Sequence, residues 1–399
     1  MSTASGKNPY RPGVGTRPLH LAGREAELRR FASVLRAAPE IPANMRLTGL
    51  RGVGKTVLLS EFKRAAESSG WLASLLELQP RHNREDILVD VLRATCREAG
   101  ELVSRAARLR AKVGKARRAV GPVELGYGDV SVTLNVEASR GEQDLARALA
   151  ATTEQAIEAD HPGFVLLLDE AQVIRDERAR DGEHPLSILI SSVSAVQRAE
   201  RSFGLVLCGL PTLASNLLQA RSYAERMFRG EEIGSLDTDA ARAAFVEPLR
   251  ETGVSSDEDL VEAVLDSVEG YPYFIQLWGA ELWDAAQTAG TDRLTLTLLG
   301  EIQGEILRRL DLDFYDPRIQ TLTPAEQDVL VASADCPYPP LRVSDLNKRV
   351  SKTPANVNVL LGRLVEAGVI YRVRKGEYRY TAPKFFDYLG RRVAKLETE

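Results

Sequence analysis

The segment Gly49-Leu50-Arg51-Gly52-Val53-Gly54-Lys55-Thr56 fits the spacing G-x-x-x-x-G-K-[ST] at every fixed position. Residues of these types at this spacing bind phosphate. Glycines let consecutive backbone N–H groups turn inward as a nest for an anion, and a helix that follows presents its positive N-terminus to the same point. Lys55 is expected to reach the β- and γ-phosphates of a nucleoside triphosphate and the Thr56 hydroxyl to ligate Mg2+, with Val57 carrying the phosphate-binding stretch into the helix. A second run, Phe164-Val165-Leu166-Leu167-Leu168-Asp169-Glu170, is a buried strand ending in two carboxylates. Alone, such a pair reads as a strand end meeting solvent. Beside a phosphate loop, Asp169 suits the Mg2+ shell and Glu170 suits polarising the attacking water, two roles that neighbours on opposite strand faces can divide. The combination implies hydrolysis of a nucleoside triphosphate and not binding alone.

These groups need a scaffold that delivers the loop and the acidic pair to one place. Leu28, Phe31 and Leu35 recur at helical spacing within 24–35, Met45 to Thr48 reads as a short strand, and Thr56 to Ser68 as a helix. Trp71 to Leu78 then reads as a strand and Asp86 to Ala99 as a helix. This β-loop-α-β-α order predicts a parallel sheet with crossover helices. It resumes with a helix near 143–159, the strand Phe164–Leu168, a helix at 185–199 and a strand at Phe203–Cys208. Residues 100–138 interrupt it as an insertion. Leu102, Ala106, Leu109, Val113, Ala116 and Val120 form one helical stripe, and a hairpin is expected across 122–136, turning at Gly128-Asp129. From Asp237 to about Leu312 only helical periodicity is present, with Trp278 and Trp283 read as core.

Composition limits the remaining classes. The chain has 399 residues, 44% apolar and 27% charged, which are globular values. Net charge is −4, so any nucleic-acid contact must come from a local basic surface. Three scattered cysteines and four dispersed histidines give neither a disulfide framework nor metal-ligand spacing. The first residues are small and polar, and no run approaches the ~18 apolar residues of a membrane span, so a soluble, cytoplasmic protein with no membrane partner is expected.

On the loop, the acidic pair and the helical segment after them, residues 18–320 resemble the AAA+ and STAND superfamily of P-loop ATPases. The resemblance implies ATP as the nucleotide and Mg2+ as the metal. It assigns Thr56 and Asp169 to the metal and Glu170 to catalysis. Leu21-Ala22-Gly23-Arg24-Glu25 is similar to the "GR" motif of the group, which implies that Arg24 lies near the adenine. Arg226 and Arg229 follow the fourth predicted strand, where the family often places an arginine finger; if Arg226 acts in trans, activity requires a homo-oligomer. A surface or lid-packing arginine is the alternative. Two departures stand out. Leu207-Cys208-Gly209-Leu210-Pro211-Thr212 has no obvious polar sensor, and Gly270-Tyr271-Pro272-Tyr273 has no arginine where AAA+ lids carry their second sensor. The Gly-x-Pro is similar to STAND proteins and archaeal-type ATPases, which implies a switch more than a motor.

The last segment follows another plan. Thr323-Pro324 opens a helix, Ser344 to Val350 is a second, and Thr353-Pro354 caps a third with the apolar stripe Val357, Leu360, Leu361, Leu364 and Val365. A hairpin follows, Val369 to Arg374 and Glu377 to Tyr380 around Lys375-Gly376, then a closing helix at Phe385 to Ala394. Three helices and a hairpin predict a winged helix. Residues 323–399 hold 13 Lys and Arg against 9 Asp and Glu, 13 − 9 = +4, in a chain of net −4. Lys348, Arg349, Lys352, Arg363, Arg372, Arg374, Lys375 and Arg379 are therefore candidate DNA contacts, mostly to phosphate, with Arg363 the one obvious base reader. Arg105, Arg108, Arg110, Lys112, Lys115, Arg117 and Arg118 make a second basic run, either a solvated helix face or an anionic-partner surface.

The expected architecture is thus an α/β P-loop three-layer sandwich (19–236, with the insertion 100–138), an all-α lid (237–320) and a winged-helix domain (321–399), after a flexible arm (1–18). The expected function is a slow Mg2+-dependent ATPase switch on a DNA-associated assembly, similar to replication-initiator and transposition-helper ATPases. The alternatives are a STAND-type signalling ATPase with a structural winged helix and protein partners, and an ATP-binding scaffold without hydrolysis.

Overall fold

A computed structural model describes residues 7–13, 15–114, 139–177, 182–250 and 252–396. The chain forms two compact units, one of residues 24–48 and 55–232, the other of 1–23, 49–54 and 233–399.

In the first unit, α1 (Glu25–Arg36), β1 (Ala43–Thr48), α2 (Lys55–Ser68), β2 (Leu72–Glu77), α3 (Glu85–Gly114), α4 (Arg140–Glu158), β3 (Phe164–Asp169), α5 (Pro185–Arg198), β4 (Phe203–Gly209), α6 (Thr212–Ala220), α7 (Ala224–Met227) and β5 (Arg229–Glu232) follow in order. The sheet is parallel throughout, in the order β2-β3-β4-β1-β5. β3 and β4 are buried along their whole length, so both of their faces are apolar. Phe164, Leu166 and Leu168, with Phe203, Leu205 and Leu207, join the core under α3, α4 and α5. The alternate residues Val165, Leu167 and Asp169, and Val206 and Cys208, face the other way, the side on which Phe31 of α1 stacks on Phe62 of α2 at 4.2 Å.

The structure departs from the sequence expectation twice here. β5 extends the sheet where no fifth strand is predicted. Arg229-Gly230-Glu231-Glu232 is an edge strand whose polarity hides its pairing to β1. The two helices expected at 86–99 and 102–120 are one helix, α3, as far as Gly114. Gly100 reads as a break in sequence, but an added Cβ there would come within 2.3 Å of Gln155 Oε1 on α4, so the glycine admits a close helix neighbour. The expected hairpin at 122–136 and the basic residues beyond Gly114 lie outside the described residues.

In the second unit, the helices α8 (Thr238–Val246), α9 (Glu258–Val268), α10 (Pro272–Ala289) and α11 (Leu296–Leu310) pack together, with β6 (Ser255–Ser256) and β7 (Arg293–Leu294) as a two-residue parallel pair. A π-helical turn at Asp311–Tyr315 leads to α12 (Asp316–Gln320). Then come α13 (Pro324–Ser333), β8 (Leu341–Arg342), α14 (Val343–Leu346), α15 (Pro354–Glu366), β9 (Ile370–Arg374), β10 (Glu377–Tyr380) and α16 (Phe385–Leu396). The hairpin β9–β10 is antiparallel and β8 adds a third strand beside β10. Thr323 and Glu326 form a reciprocal capping box, and Gly368 (φ +68°) follows the third helix.

One hydrophobic core runs unbroken from Ala241 in α8 to Leu389 in α16. Tyr315 stacks on Tyr388 at 4.7 Å, and its hydroxyl donates to the Pro383 carbonyl at 2.7 Å. The separation expected at 320/321 therefore falls inside a shared core. The expected loose arm is also partly fixed. Tyr10 is 3% exposed, packs on Gly279 and donates to the Phe245 carbonyl at 2.5 Å, while Asn8 donates to the Ala280 carbonyl at 3.1 Å. Pattern reading misses such a segment because a single aromatic in a Gly- and Pro-rich stretch has no periodicity. Among the described residues no helix is long and apolar enough to cross a membrane.

Candidate functional site

The acidic pair and the residues that open α2 belong to the same unit. Lys55 is the first residue of α2 and is 8% exposed; Thr56 and Val57 follow half-buried in its first turn. Asp169 ends β3 at 2% exposure, on the sheet face that α2 covers. Cys208 of β4 connects the two. Its thiol is held well above the usual range, first by burial, then by the Asp169 carboxylate, against an opposing pull from the Lys55 ammonium. That thiol is fully buried and stays neutral. Lys55, Asp169 and Glu170 thus converge at the carboxyl ends of β3 and β4.

Glu170 is set by the turn that ends β3. Its backbone is left-handed, φ 52°, and its N–H donates to Asp169 Oδ1 at 2.8 Å. One carboxylate thereby anchors the backbone of the next residue while the two side chains diverge. Gln172 holds the Glu170 side chain. Its Nε2 donates to Glu170 Oε2 at 2.5 Å, and its Oε1 accepts the Leu210 N–H just past β4 at 3.0 Å. Gly209 makes room for this bridge, since a Cβ there would lie 2.3 Å from Gln172 Oε1. Sequence reasoning misses Gln172. A glutamine two residues after a glutamate belongs to no spacing rule, and only the adjacency of β3 and β4 gives it a function.

The loop residues 49–54 belong to the other unit. Gly52 and Gly54 have φ of +81° and +85°, the left-handed region that a phosphate nest requires and that other residues rarely adopt. The Gly52 carbonyl accepts the Tyr273 N–H of α10 at 3.2 Å, so the Gly270-Tyr271-Pro272-Tyr273 segment packs directly on the loop. The Arg51 N–H donates to the Thr381 carbonyl, just past β10, at 3.0 Å.

The other candidates are dispersed. Arg24 is buried at the head of α1 and ion-paired with Glu27 at 4.0 Å; burial pulls its guanidinium down from the usual range and Glu27 opposes this. Arg226 lies in α7, ahead of β5, at the opposite end of the parallel strands from Lys55. It lines a cleft of about 650 Å³ together with Asn44, Gln197 and Arg198. In the C-terminal segment Arg349, Arg363, Arg372, Lys375 and Arg379 are exposed. Three further candidates are already ion-paired: Arg374 with Glu377 at 2.7 Å, Lys348 with Asp345 at 3.3 Å and Lys352 with Asp328 at 3.4 Å.

Comparison with known proteins bears on the fold. Residues 20–205 match the family described as AAA ATPase domain, and residues 312–389 match a domain of unknown function (DUF8462). No curated protein matches. Among solved structures, a Walker-type ATPase of Pyrococcus abyssi is 19% identical with a TM-score of 0.52, over 93% of this chain and 96% of that one. The ORC2 protein of Aeropyrum pernix, in ADPNP–ADP complexes, is 13% identical with a TM-score of 0.53, over 97% of this chain and 98% of that one. At these identities the likeness is one of fold, a P-loop ATPase sheet followed by a mostly helical region.

Proposed function

From a chain whose residues 20–205 match the AAA ATPase domain family, we propose a slow, Mg2+-dependent ATP-hydrolysing switch that acts on a DNA-associated assembly. The observation that carries it is the convergence of Lys55, Asp169 and Glu170, with Glu170 oriented by Gln172. Lys55 and the loop residues Gly49 to Gly54 bind the phosphates, and Arg24 borders the base. The Thr56 hydroxyl and the Asp169 carboxylate fit Mg2+ as hard oxygen donors, and the ion supplies positive charge to the phosphate oxygens when bound. Glu170 accepts a proton from the attacking water. Arg226 cannot serve its own chain's site from the far end of the strands. It serves a neighbouring copy in a homo-oligomer, or it has no catalytic part.

The C-terminal helices and three-stranded sheet are read as a winged helix that meets DNA through Arg363, Arg372, Lys375 and Arg379, all exposed. Contacts of this kind are chiefly to phosphate, so they position the protein without selecting a sequence. The decisive experiment is ATP turnover of wild type, Lys55→Ala and Glu170→Gln, with and without duplex DNA, at two salt concentrations. Turnover that DNA stimulates, salt suppresses and Lys55→Ala lacks supports the proposal. Turnover indifferent to DNA points instead to a signalling ATPase with protein partners, the reading suggested by the Thr381 contact on the phosphate loop.

A further inference from the structure

The cleft of about 650 Å³ that Arg226 lines opens at the amino ends of β1 and β5, wholly inside the first unit. Its walls are the last turns of α1 and α5, the connection from α1 to β1, and the turn from α7 into β5. Val34, Ala37, Ile41 and Met227 give it an apolar lining, and Ile41 stands 65% exposed. Apolar side chains gathered around a concavity, unlike ones scattered singly, mark a surface that another molecule covers.

The polar floor of the cleft is already satisfied. The buried Asn44 amide exchanges two hydrogen bonds with the Gln197 amide, at 2.9 and 2.8 Å, and its Oδ1 also accepts the Leu205 N–H at 3.1 Å. Recognition therefore falls to three exposed arginines in the lining, Arg198, Arg226 and Arg229. No lining residue is acidic. Among the described residues Arg198 and Arg226 make no ion pair and no side-chain hydrogen bond, although the buried Glu142 carboxylate lies within the field of Arg198. Arg229 shares the Glu231 carboxylate with Arg30, at 3.3 and 2.9 Å. Arginine and methionine are enriched at protein interfaces, and opposite charge across them selects the partner. Nucleic acid fits this lining less well. Phosphates gain nothing from Val34, Ile41 and Met227, and the aromatic in the lining, Phe228, is buried and offers no face for a base.

We propose that this cleft docks a short acidic and apolar segment of a partner protein. Arg198 and Arg229 pair with its carboxylates, and Val34 and Ile41 receive its apolar side chains. A cleft of this volume seats a ligand of a few side chains. The inference is independent of the nucleotide reading, because no residue of the phosphate loop or of the acidic pair lines the cleft. Arg226 does line it, so an occupied cleft withholds that side chain from a neighbouring copy.

The test uses the full chain as wild type, Arg198→Glu and Ile41→Asp, with fluorescence anisotropy of a labelled peptide that carries leucine and glutamate at helical spacing. The comparisons are the same peptide with lysine for glutamate, the same peptide with glutamine for leucine, and duplex DNA. The glutamate–leucine peptide is expected to bind wild type, to bind each variant about tenfold or more weakly, and to weaken as salt rises. The lysine version should not bind, and the version without leucine should bind about tenfold more weakly than the parent. Melting temperatures check that the variants are folded, and Arg198→Gln and Ile41→Ser replace any that melts early. Equal affinity of the peptide for wild type and both variants overturns the proposal, since the basic C-terminal segment then holds it, and so does an absence of binding. DNA affinity that falls in both variants without peptide binding assigns the cleft to nucleic acid and also overturns it. So does self-association of wild type that Arg198→Glu abolishes without peptide binding, which assigns the cleft to a second copy.

Discussion

Replacing Gln172 with alanine removes two bonds at once, the donor to Glu170 Oε2 at 2.5 Å and the acceptor of the Leu210 N–H at 3.0 Å. The first is charge-assisted, worth roughly 1.5–3 kcal/mol where both partners are fixed. If that energy keeps Glu170 in register with the attacking water, its loss lowers kcat by about tenfold to hundredfold. The second leaves a buried N–H unsatisfied, costing about 1–3 kcal/mol of stability, so turnover is to be compared well below the melting transition. KM for MgATP should hold within about twofold, because Gln172 touches the carboxylate and not the phosphate loop. Gln172→Glu sharpens the test. A second carboxylate in place of the amide donor repels the Glu170 carboxylate from its position, so the variant should lose at least as much turnover as Gln172→Ala. Single-turnover hydrolysis reads both variants. Wild-type or faster turnover in Gln172→Ala would refute the reasoning, and would mean that the glutamine restrains Glu170 in a resting state.

Other outcomes follow from the same structure. Glu170→Gln should retain MgATP binding and lose hydrolysis, measured by filter binding beside phosphate release, whereas Lys55→Ala should lose both. Gly52→Ala places a side chain at φ +81°, which costs about 1–2 kcal/mol and should weaken MgATP binding roughly tenfold in calorimetry. Tyr10→Ala opens a cavity against Phe245 and Gly279 and should cost about 3–5 kcal/mol in urea unfolding, an effect absent if residues 8–11 were unattached. All three cysteines are buried, with the Cys96 thiol pushed up to about 12 by its surroundings, so a thiol reagent at pH 8 should label none in the native chain and three in denaturant.

The phosphate loop, the acidic strand end and the helix–hairpin order of the C-terminal segment are legible in sequence because each rests on local rules: left-handed glycines, period-two burial, caps. What is hidden depends on neighbours far away in the chain. β5 carries no apolar alternation because it is an edge, and its pairing to β1 is visible only in register. Gln172 acquires a task only when β4 lies beside β3.

The unbroken core between the lid helices and the C-terminal segment bears on how the chain can be cut. A fragment starting at 321 would leave Phe314, Tyr315 and Ile319 behind and strip Phe385 and Tyr388 of their ring partners. Each aromatic of this size buries about 150–250 Å². Such a fragment would show a sticky apolar face in any DNA-binding assay, and its affinity would report that face as much as its arginines. The domain match begins at residue 312, inside the π-helical turn, and so keeps those rings with the segment they pack against. The natural scissors point therefore precedes the aromatic layer, and the hairpin's behaviour toward nucleic acid is best measured in a chain that retains it.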